Sequence, residues 1–250
     1  MIMHRGDQAL AIRALRSAAP YIRMYKGKTF VVKAGGGVFA EMATTRSLVE
    51  QIGILHYFGV RVVLVHGGGP QLSELSAALG VPTRMVEGRR VTDAKSIDVT
   101  AMVLNGLINT RVLGICRDLN IDAVGISGVD AGLVRAHKRP PVALAANGEM
   151  VDFGFVGDID AVDTTVLKKL LDNGLMPVVS PLSADESGTL LNINADTVAA
   201  AIGAALAAEK LILCTGAPGI LGEVFTNEGN GTMVVADVNA LTPAEQQSVS

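Results

Sequence analysis

Two segments of the chain run from an apolar strand directly into three consecutive glycines. They are FVVKAGGG, Phe30–Gly37, and RVVLVHGGGP, Arg61–Pro70. Both remove all side chains where a buried strand ends, and this edge of an open α/β sheet is where ligands bind. Glycines there let backbone N–H groups approach an anion, and the N-terminus of the following helix adds a favourable dipole. The two junctions, with Lys33 at one and His66 at the other, therefore predict a site for phosphate chemistry.

Tight packing of a strand against a helix is the alternative explanation for each glycine cluster taken alone. Neither cluster matches the GxxxxGK[ST] loop or the GxGxxG dinucleotide fingerprint, which argues against a Rossmann oxidoreductase. Lys33 can place a point charge beside a phosphoryl group. We interpret His66 as a structural histidine at the end of its strand.

Apolar strands alternate with longer helical patterns along the whole chain. Strands are predicted at 29–33, 60–65, 123–127, 176–180 and 210–214, with a hairpin of short strands at 133–136 and 150–157. Helices are predicted at 7–25, 45–58, 71–79, 94–119, 161–173 and 197–206. Because the main strands are almost continuously apolar, the pattern predicts an α/β fold with a mostly parallel sheet covered on both faces.

Composition narrows the class of function. The 250 residues, 49% hydrophobic, suit one large domain with two lobes. A net charge of -3 and 4% aromatic residues argue against a nucleic-acid partner. No apolar run reaches the roughly 18 residues of a membrane span, and the N-terminus lacks the apolar core of a signal peptide, so we expect a cytoplasmic protein with no membrane partner. Cys116 and Cys214 are expected to be buried free thiols.

Two further polar segments belong with the glycine junctions. EGRRVTD places Arg89 and Arg90 just before a long helix, where Arg90 can clamp a substrate carboxylate and Arg89 is interpreted as part of a solvated loop. LLNINADT places Asn192, Asn194 and Asp196 ahead of an alanine-rich helix. An N-cap is the structural alternative for Asp196, but three polar groups between apolar segments predict a site.

VVKAGGG, VLVHGGGPQ, EGRRVTD, LLNINADTVA and TGAPGIL, in this order, resemble the amino acid kinase superfamily, most closely the N-acetylglutamate kinases. The resemblance covers nearly the whole chain. It implies a three-layer α/β/α sandwich with a mainly parallel central sheet. It also implies ATP-dependent phosphorylation of the side-chain carboxylate of N-acetyl-L-glutamate to N-acetylglutamyl 5-phosphate, in arginine biosynthesis. Sibling kinases of other acylated amino acids are not separated by these motifs.

The resemblance also implies roles for individual residues. Lys33 would stabilise the transferring phosphoryl group and Asp196 would orient Lys33. The acetylated amino acid would be held by Gly68, Gly69, Arg90 and Asn192. The nucleotide would be lined by Gly35, Gly36, Gly216, Ala217, Pro218, Gly219, Ile220 and Leu221. ATP would carry Mg²⁺ mainly on its phosphates, with no metal site built by the protein.

The resemblance divides the chain into an N-terminal helix at 1–28, a kinase domain at 29–235 and a tail at 236–250. Within the kinase domain, the acetylglutamate lobe would span about 29–180 and the nucleotide lobe about 181–235. The N-terminal helix resembles the helix that interlaces dimers into a hexamer in arginine-inhibited members. It therefore implies a homo-oligomer, a dimer or a hexamer, with arginine as an allosteric inhibitor. The alternative is a helix packed on its own domain.

Two departures from the family pattern lie in the C-terminal part. TGAPGI replaces the usual DVPGI-type loop and loses its acidic residue. Leu221-Gly222 then runs directly into EVFTNEGNGTMV, and no lysine follows Lys210, so the second catalytic lysine of the family has no counterpart and a shortened ATP lobe is expected. Three explanations stay open: an internally shortened kinase, a non-catalytic sensor or assembly subunit, or substitution by another lysine such as Lys210 or Lys138.

Overall fold

A six-stranded sheet forms the centre of the protein. The structure, a computed structural model, describes residues 5–144, 148–214 and 233–236. The strands lie in the order β14 (Met233–Ala236), β13 (Lys210–Cys214), β1 (Thr29–Ala34), β2 (Arg61–His66), β10 (Met176–Ser180) and β5 (Ala123–Ser127). Every neighbouring pair is parallel except β13 with β14 at the edge. The prediction of a mainly parallel sheet is confirmed.

Helices cover both faces of this sheet. One face carries α2 (Met42–Tyr57), α3 (Gly69–Ala78), α4 (Ala94–Ala101), a π-helical segment (Met102–Ile108) and α5 (Asn109–Asp118). The other face carries α6 (Thr165–Asp172) and α7 (Ala195–Ala205). Side chains of β1 alternate between the two cores, with Phe30 and Val32 in the first and Val31 in the second. This arrangement is the predicted three-layer sandwich.

The predicted helix at 94–119 is one continuous helical stretch with a π-helical centre, and it begins after Asp93, whose carboxylate accepts a hydrogen bond from Ser96 N at 2.8 Å. Within Ala94–Asp118, an 18-residue window has a mean hydropathy of 1.4, so by length and composition alone this helix could cross a membrane. The prediction that no segment reaches that length was therefore wrong. Half of that window is buried inside the described part of the protein.

A second, smaller sheet and two short hairpins complete the described part of the fold. The sheet has the order β12 (Leu190–Asn192), β11 (Leu182–Ala184), β6 (Val134–Lys138) and β9 (Gly157–Val162). The hairpins are β3 (Arg84–Val86) with β4 (Arg89–Val91), and β7 (Val142–Ala143) with β8 (Met150–Val151). Strands of two or three residues are too short for periodicity to reveal, and the sequence did not predict β3, β4, β11 or β12.

Two boundary predictions were wrong around β9. β6 does not pair with the strand predicted at 150–157; it pairs with β9, Gly157–Val162. The residues just before β9 cross to another segment instead, where Gly154 forms an isolated bridge with Thr92. The helix predicted at 161–173 begins only at Thr165. Its expected first turn belongs to β9, and the Asp163 carboxylate accepts a hydrogen bond from Thr165 N at 2.9 Å.

α1 (Arg5–Tyr25) precedes β1 and projects much of its apolar surface into solvent. Leu10, Leu15 and Tyr21 are 62%, 56% and 65% exposed. Tyr25, at the end of the helix, packs edge-on against Phe30 with ring centroids 5.1 Å apart. The described contacts therefore hold the end of this helix on the domain and leave its earlier apolar residues uncovered.

Candidate active site

The two glycine loops leave the sheet side by side and touch each other. β1 and β2 are parallel neighbours with Ala34 opposite His66, so their carboxyl ends lie at the same edge. Gly67 N donates to the Ala34 carbonyl at 2.8 Å. Gln71, in the first turn of α3, donates from Nε2 to the Gly36 carbonyl at 2.9 Å. The juxtaposition of the two junctions, inferred from the sequence, is thus present.

The glycines divide into packed and open positions. A Cβ at Gly36 would lie 2.6 Å from Pro70 Cδ, and a Cβ at Gly68 would lie 2.6 Å from Ile108 Cδ1. At Gly37 and Gly69, by contrast, no described atom lies within 4 Å of that position. The packing explanation therefore holds for Gly36 and Gly68, whereas Gly37 and Gly69 leave space in which a ligand can reach the backbone.

Lys33 and Asp196 form a largely buried ion pair beside the first loop. Lys33 lies one position before the end of β1, on the face covered by α7, and its Nζ is 2.7 Å from Asp196 Oδ1. A Cβ at Gly35 would lie 3.7 Å from the same Nζ, so the ammonium group borders the loop. Only 11% of the Lys33 side chain is exposed, which makes its charge strong toward an anion that enters.

Asn194 explains how Asp196 is available for this pair. The Asn194 side chain is the N-cap of α7: Oδ1 accepts from the N–H groups of Asp196 at 2.7 Å and Thr197 at 3.2 Å. The structural alternative of an Asp196 N-cap is therefore wrong. The capping function falls on its neighbour, and the Asp196 carboxylate points to Lys33.

Arg90 reaches the second loop from β4. Its Nη2 donates to the Gly69 carbonyl at 3.2 Å and to Ser73 Oγ at 2.7 Å, while Nη1 donates to Thr83 Oγ1 at 3.0 Å. All of these partners are neutral, and Arg90 joins no ion pair among the described residues. Burial lowers the pKa of the guanidinium, which nevertheless stays charged. It is a cation held in place, and no described side chain compensates its charge. The neighbouring Arg89 is exposed, as predicted.

Asn192 connects to the Arg90 hairpin through a buried threonine. Its Nδ2 donates to Thr92 Oγ1 at 3.3 Å. The segment around Phe155 joins the same residues through the backbone: Phe155 N donates to the Thr92 carbonyl at 2.7 Å, and Asn192 N donates to the Phe155 carbonyl at 2.8 Å. Gly154, with φ +73°, makes this crossing possible, since a Cβ there would lie 2.2 Å from the Thr92 carbonyl oxygen. Arg90 and Asn192 are therefore tied into one unit.

His66 is fully buried and lies outside this chemistry. Burial lowers its pKa to about 4, so the ring is neutral at pH 7. Nδ1 lies 3.3 Å from the Gly67 carbonyl and Nε2 lies 3.3 Å from Asn109 Nδ2, which places the proton on Nδ1. The prediction of a structural histidine is confirmed. Cys116 is also a buried free thiol as predicted, whereas Cys214, likewise free, is only partly buried.

The predicted nucleotide loop, Gly216–Leu221, lies outside the described residues. β13 leads to it and ends at Cys214, whose carbonyl accepts from Gly35 N at 3.3 Å. Among the described residues, no three His, Cys, Asp or Glu side chains cluster in a way that could hold a metal ion.

Sequence reasoning missed Gln71, Ser73 and Thr92. Gln71 and Ser73 stand within VHGGGPQLS, close to the glycines, and their place in the first two turns of a helix was the available signal. Thr92 stands two residues after Arg90, within the EGRRVTD segment. Its buried position between two distant segments is a tertiary property with no local signal.

Comparison with known proteins places this arrangement in a class. The profile of the Amino acid kinase family matches residues 28–245. The chain belongs to the amino acid kinase family. Acetylglutamate kinase from Myxococcus xanthus (strain DK1622) is 44% identical over 236 residues, covering 93% of this chain and 76% of that protein. Acetylglutamate kinase from Halorhodospira halophila (strain DSM 244 / SL1) is 43% identical, covering 86% of this chain and 73% of that protein.

A solved structure supports the same fold. N-acetylglutamate synthase from Neisseria gonorrhoeae, complexed with coenzyme A and N-acetyl-glutamate, superposes with a TM-score of 0.71 at 29% identity. The match covers 84% of this chain and 46% of the synthase, so the chain spans less than half of that protein's length.

Proposed function

We propose that this chain transfers the γ-phosphoryl group of ATP to the side-chain carboxylate of N-acetyl-L-glutamate, a cytoplasmic step of arginine biosynthesis. The observation that carries the proposal is the contact between the loops. Lys33 borders the first loop, Arg90 binds the second at Gly69, and the position of a Gly36 Cβ lies 2.9 Å from Gly69 N. The similarity to acetylglutamate kinases supports this assignment.

Phosphoryl transfer requires positioning and charge neutralisation more than a protein nucleophile. One oxygen of the substrate carboxylate forms a bond to the γ-phosphorus while the bond from that phosphorus to the bridging oxygen breaks, and ADP leaves. Lys33 stabilises the charge on the transferring group, and Asp196 holds the ammonium at the loop. The nucleotide phosphates lie beside Gly35 and Gly36, and they enter at Gly37, where no described atom lies within 4 Å of a Cβ position.

The acceptor lies at the second loop in this proposal. Gly68 and Gly69 stand at the N-terminus of α3, where the helix dipole favours an anion. Arg90 binds the α-carboxylate of acetylglutamate with its uncompensated charge. The Asn192 side chain, held at Thr92, hydrogen-bonds the acetamide group.

ATP supplies the phosphoryl group, and Mg²⁺ neutralises charge on its phosphates when bound. The residues present fit such a ligand on the phosphate side, because Lys33 and the open glycine backbone supply donors and positive charge. We propose that Gly216, Ala217, Pro218, Gly219, Ile220 and Leu221 line the adenine nucleotide. A second lysine for the transfer is absent from the sequence after Lys210.

This absence favours a second candidate function. A chain without the second lysine can bind acetylglutamate, or arginine as an effector, and serve as a non-catalytic sensor or assembly subunit. Removing one charge-stabilising group typically raises the activation barrier by about 3 kcal/mol. Loss of the lysine alone would therefore slow phosphoryl transfer without abolishing it. Turnover therefore decides between the two functions.

We further propose a homo-oligomer in which α1 contacts another copy of the chain. The exposed apolar residues of α1 support this over a helix packed on its own domain. Light scattering of the whole chain and of a chain starting at Lys26 tests it. A hexamer reduced to a dimer by the truncation is expected, and an unchanged mass would contradict the role of α1.

The test of function is ADP release with ATP, Mg²⁺ and a panel of acceptors: N-acetyl-L-glutamate, L-glutamate and L-aspartate. The kinase proposal predicts release with N-acetyl-L-glutamate and little with the others. Calorimetric binding of N-acetyl-L-glutamate without any ADP release would instead support the sensor.

A further inference from the structure

Gln71 occupies a position that no part of the proposed reaction uses. It lies in the first turn of α3 with 6% of its surface exposed. Its Nε2 donates to the carbonyl of Gly36, which is 35 residues away in the chain. Its Oε1 is buried and accepts no hydrogen bond from the residues that the structure describes. A buried amide with one half unpaired costs stability, and the hydrogen bond from its other half to Gly36 offsets part of that cost.

The N-terminal part of α3 also holds Arg90, the residue proposed to bind the acceptor. Arg90 donates to the Gly69 carbonyl and to Ser73 Oγ, and Ser73 Oγ in turn donates to Gly69 O at 3.2 Å. The first turns of α3 therefore bind Arg90 through Ser73 and Gly69, and bind the first loop through Gln71. Because a helix is stiff over this length, the two attachments are rigidly connected.

We propose that Gln71 is a positioning residue that fixes the distance between the phosphoryl side and the acceptor side of the active site. This inference rests on the function proposed above. The hydrogen bond from Gln71 to Gly36 joins the two loops through a side chain. It holds the carbonyl just before Gly37, the position with open space around it. Without this hydrogen bond, the first loop can move relative to α3, while Lys33 and Arg90 keep their own contacts.

The inference predicts that loss of the Gln71 hydrogen bond lowers kcat and leaves KM nearly unchanged. The Gln71→Leu variant keeps the approximate volume of the side chain and removes both the bond and the unpaired oxygen. The midpoint of urea unfolding is expected to stay near that of the wild type, because these two effects oppose each other. A misplacement of about 1 Å is known to reduce turnover on the order of a hundredfold. We expect kcat to fall about 10- to 100-fold, with KM for N-acetyl-L-glutamate within about threefold.

Gln51→Leu is the matched control. Gln51 also donates from Nε2 to another side chain, Ser47 Oγ at 3.4 Å, but on the exposed surface of α2. This variant should keep the kinetic constants of the wild type. Equal kinetics for Gln71→Leu and Gln51→Leu would overturn the inference. So would a raised KM with unchanged kcat in Gln71→Leu, which would make Gln71 a substrate contact.

The Gln71→Glu variant tests the hydrogen bond itself. Its ionised carboxylate cannot donate to the Gly36 carbonyl, but its protonated form can. Burial favours the protonated form. Its kcat relative to the wild type should therefore rise as the pH is lowered from about 8 to about 6. A kcat equal to that of the wild type at the high-pH end, where the carboxylate is ionised, would show that donation to Gly36 does not matter.

Hydrogen exchange keeps the inference testable if the proposed function fails. No ADP release by the wild type would refute the kinase proposal alone. The positioning role of Gln71 would still predict faster exchange of the backbone amides that close the two loops. These amides, Gly67, Val38 and Ala40, should exchange faster in Gln71→Leu and not in Gln51→Leu. Unchanged exchange at these amides would refute the positioning role of Gln71.

Discussion

Gly36→Ala tests the contact between the two loops most sharply. The new methyl group would lie 2.6 Å from Pro70 Cδ, 2.9 Å from Gly69 N and 3.1 Å from Gln71 Oε1. Carbon atoms pack at about 3.5–4.0 Å, so the loops must separate by roughly 1 Å. Two of the three neighbours belong to a proline ring and to backbone, and neither can rotate away as a free side chain could. Overpacking of this kind costs about 1–3 kcal/mol of unfolding free energy.

The same displacement should reduce kcat on the order of a hundredfold, because it separates the phosphoryl side from the acceptor side. Gly37→Ala is the control, since no described atom lies within 4 Å of its new methyl group and its unfolding free energy should change by less than about 0.5 kcal/mol. Urea unfolding and ADP release on both variants provide the two measurements. If Gly36→Ala matched Gly37→Ala in stability and the wild type in kcat, the packed contact would not exist in solution.

Three further predictions concern other parts of the site. Arg90→Ala should raise KM for N-acetyl-L-glutamate about 10- to 100-fold, the value of a charge-assisted hydrogen bond, whereas Arg89→Ala should leave it unchanged; steady-state kinetics that affect both equally would remove Arg90 from the acceptor site. Gly154→Ala should lower the unfolding free energy by more than about 2 kcal/mol, because its methyl group would lie 2.2 Å from a backbone carbonyl oxygen at φ +73°, while Gly188→Ala, at φ +84° in open space, should cost only about 1 kcal/mol by urea unfolding. The pKa of His66 is lowered to about 4 by burial, so the unfolded state binds more protons between about pH 6.5 and 4, and stability should fall by about 3 kcal/mol as the pH drops through this window; a His66→Gln variant with the same pH dependence would refute it.

The central sheet could be predicted from the sequence because its strands are continuously apolar and its helices are long. The loops at its edge were predictable for a similar reason: Lys33, Gly68, Gly69, Arg90, Asn192 and Asp196 stand in motifs at the ends of elements. The strands β11 and β12 were not predictable, because three-residue segments carry no periodicity.

The roles within the motifs needed the fold. The division of the glycines into packed and open positions depends on what lies opposite them, such as Pro70 against Gly36. The capping of α7 by Asn194 instead of Asp196 depends on which side chain faces Lys33. Both are contacts between segments far apart in the chain, which local patterns do not encode.

The most direct test of the account measures ADP release, dependent on N-acetyl-L-glutamate, by the wild type, Lys33→Met and Lys28→Met. Lys28 is also paired with an acid, Glu209 at 3.3 Å, but on the surface, so it controls for loss of a lysine ion pair. The account predicts wild-type turnover that Lys33→Met reduces by on the order of 10² to 10³ and Lys28→Met leaves unchanged. Equal turnover by Lys33→Met and the wild type would contradict it.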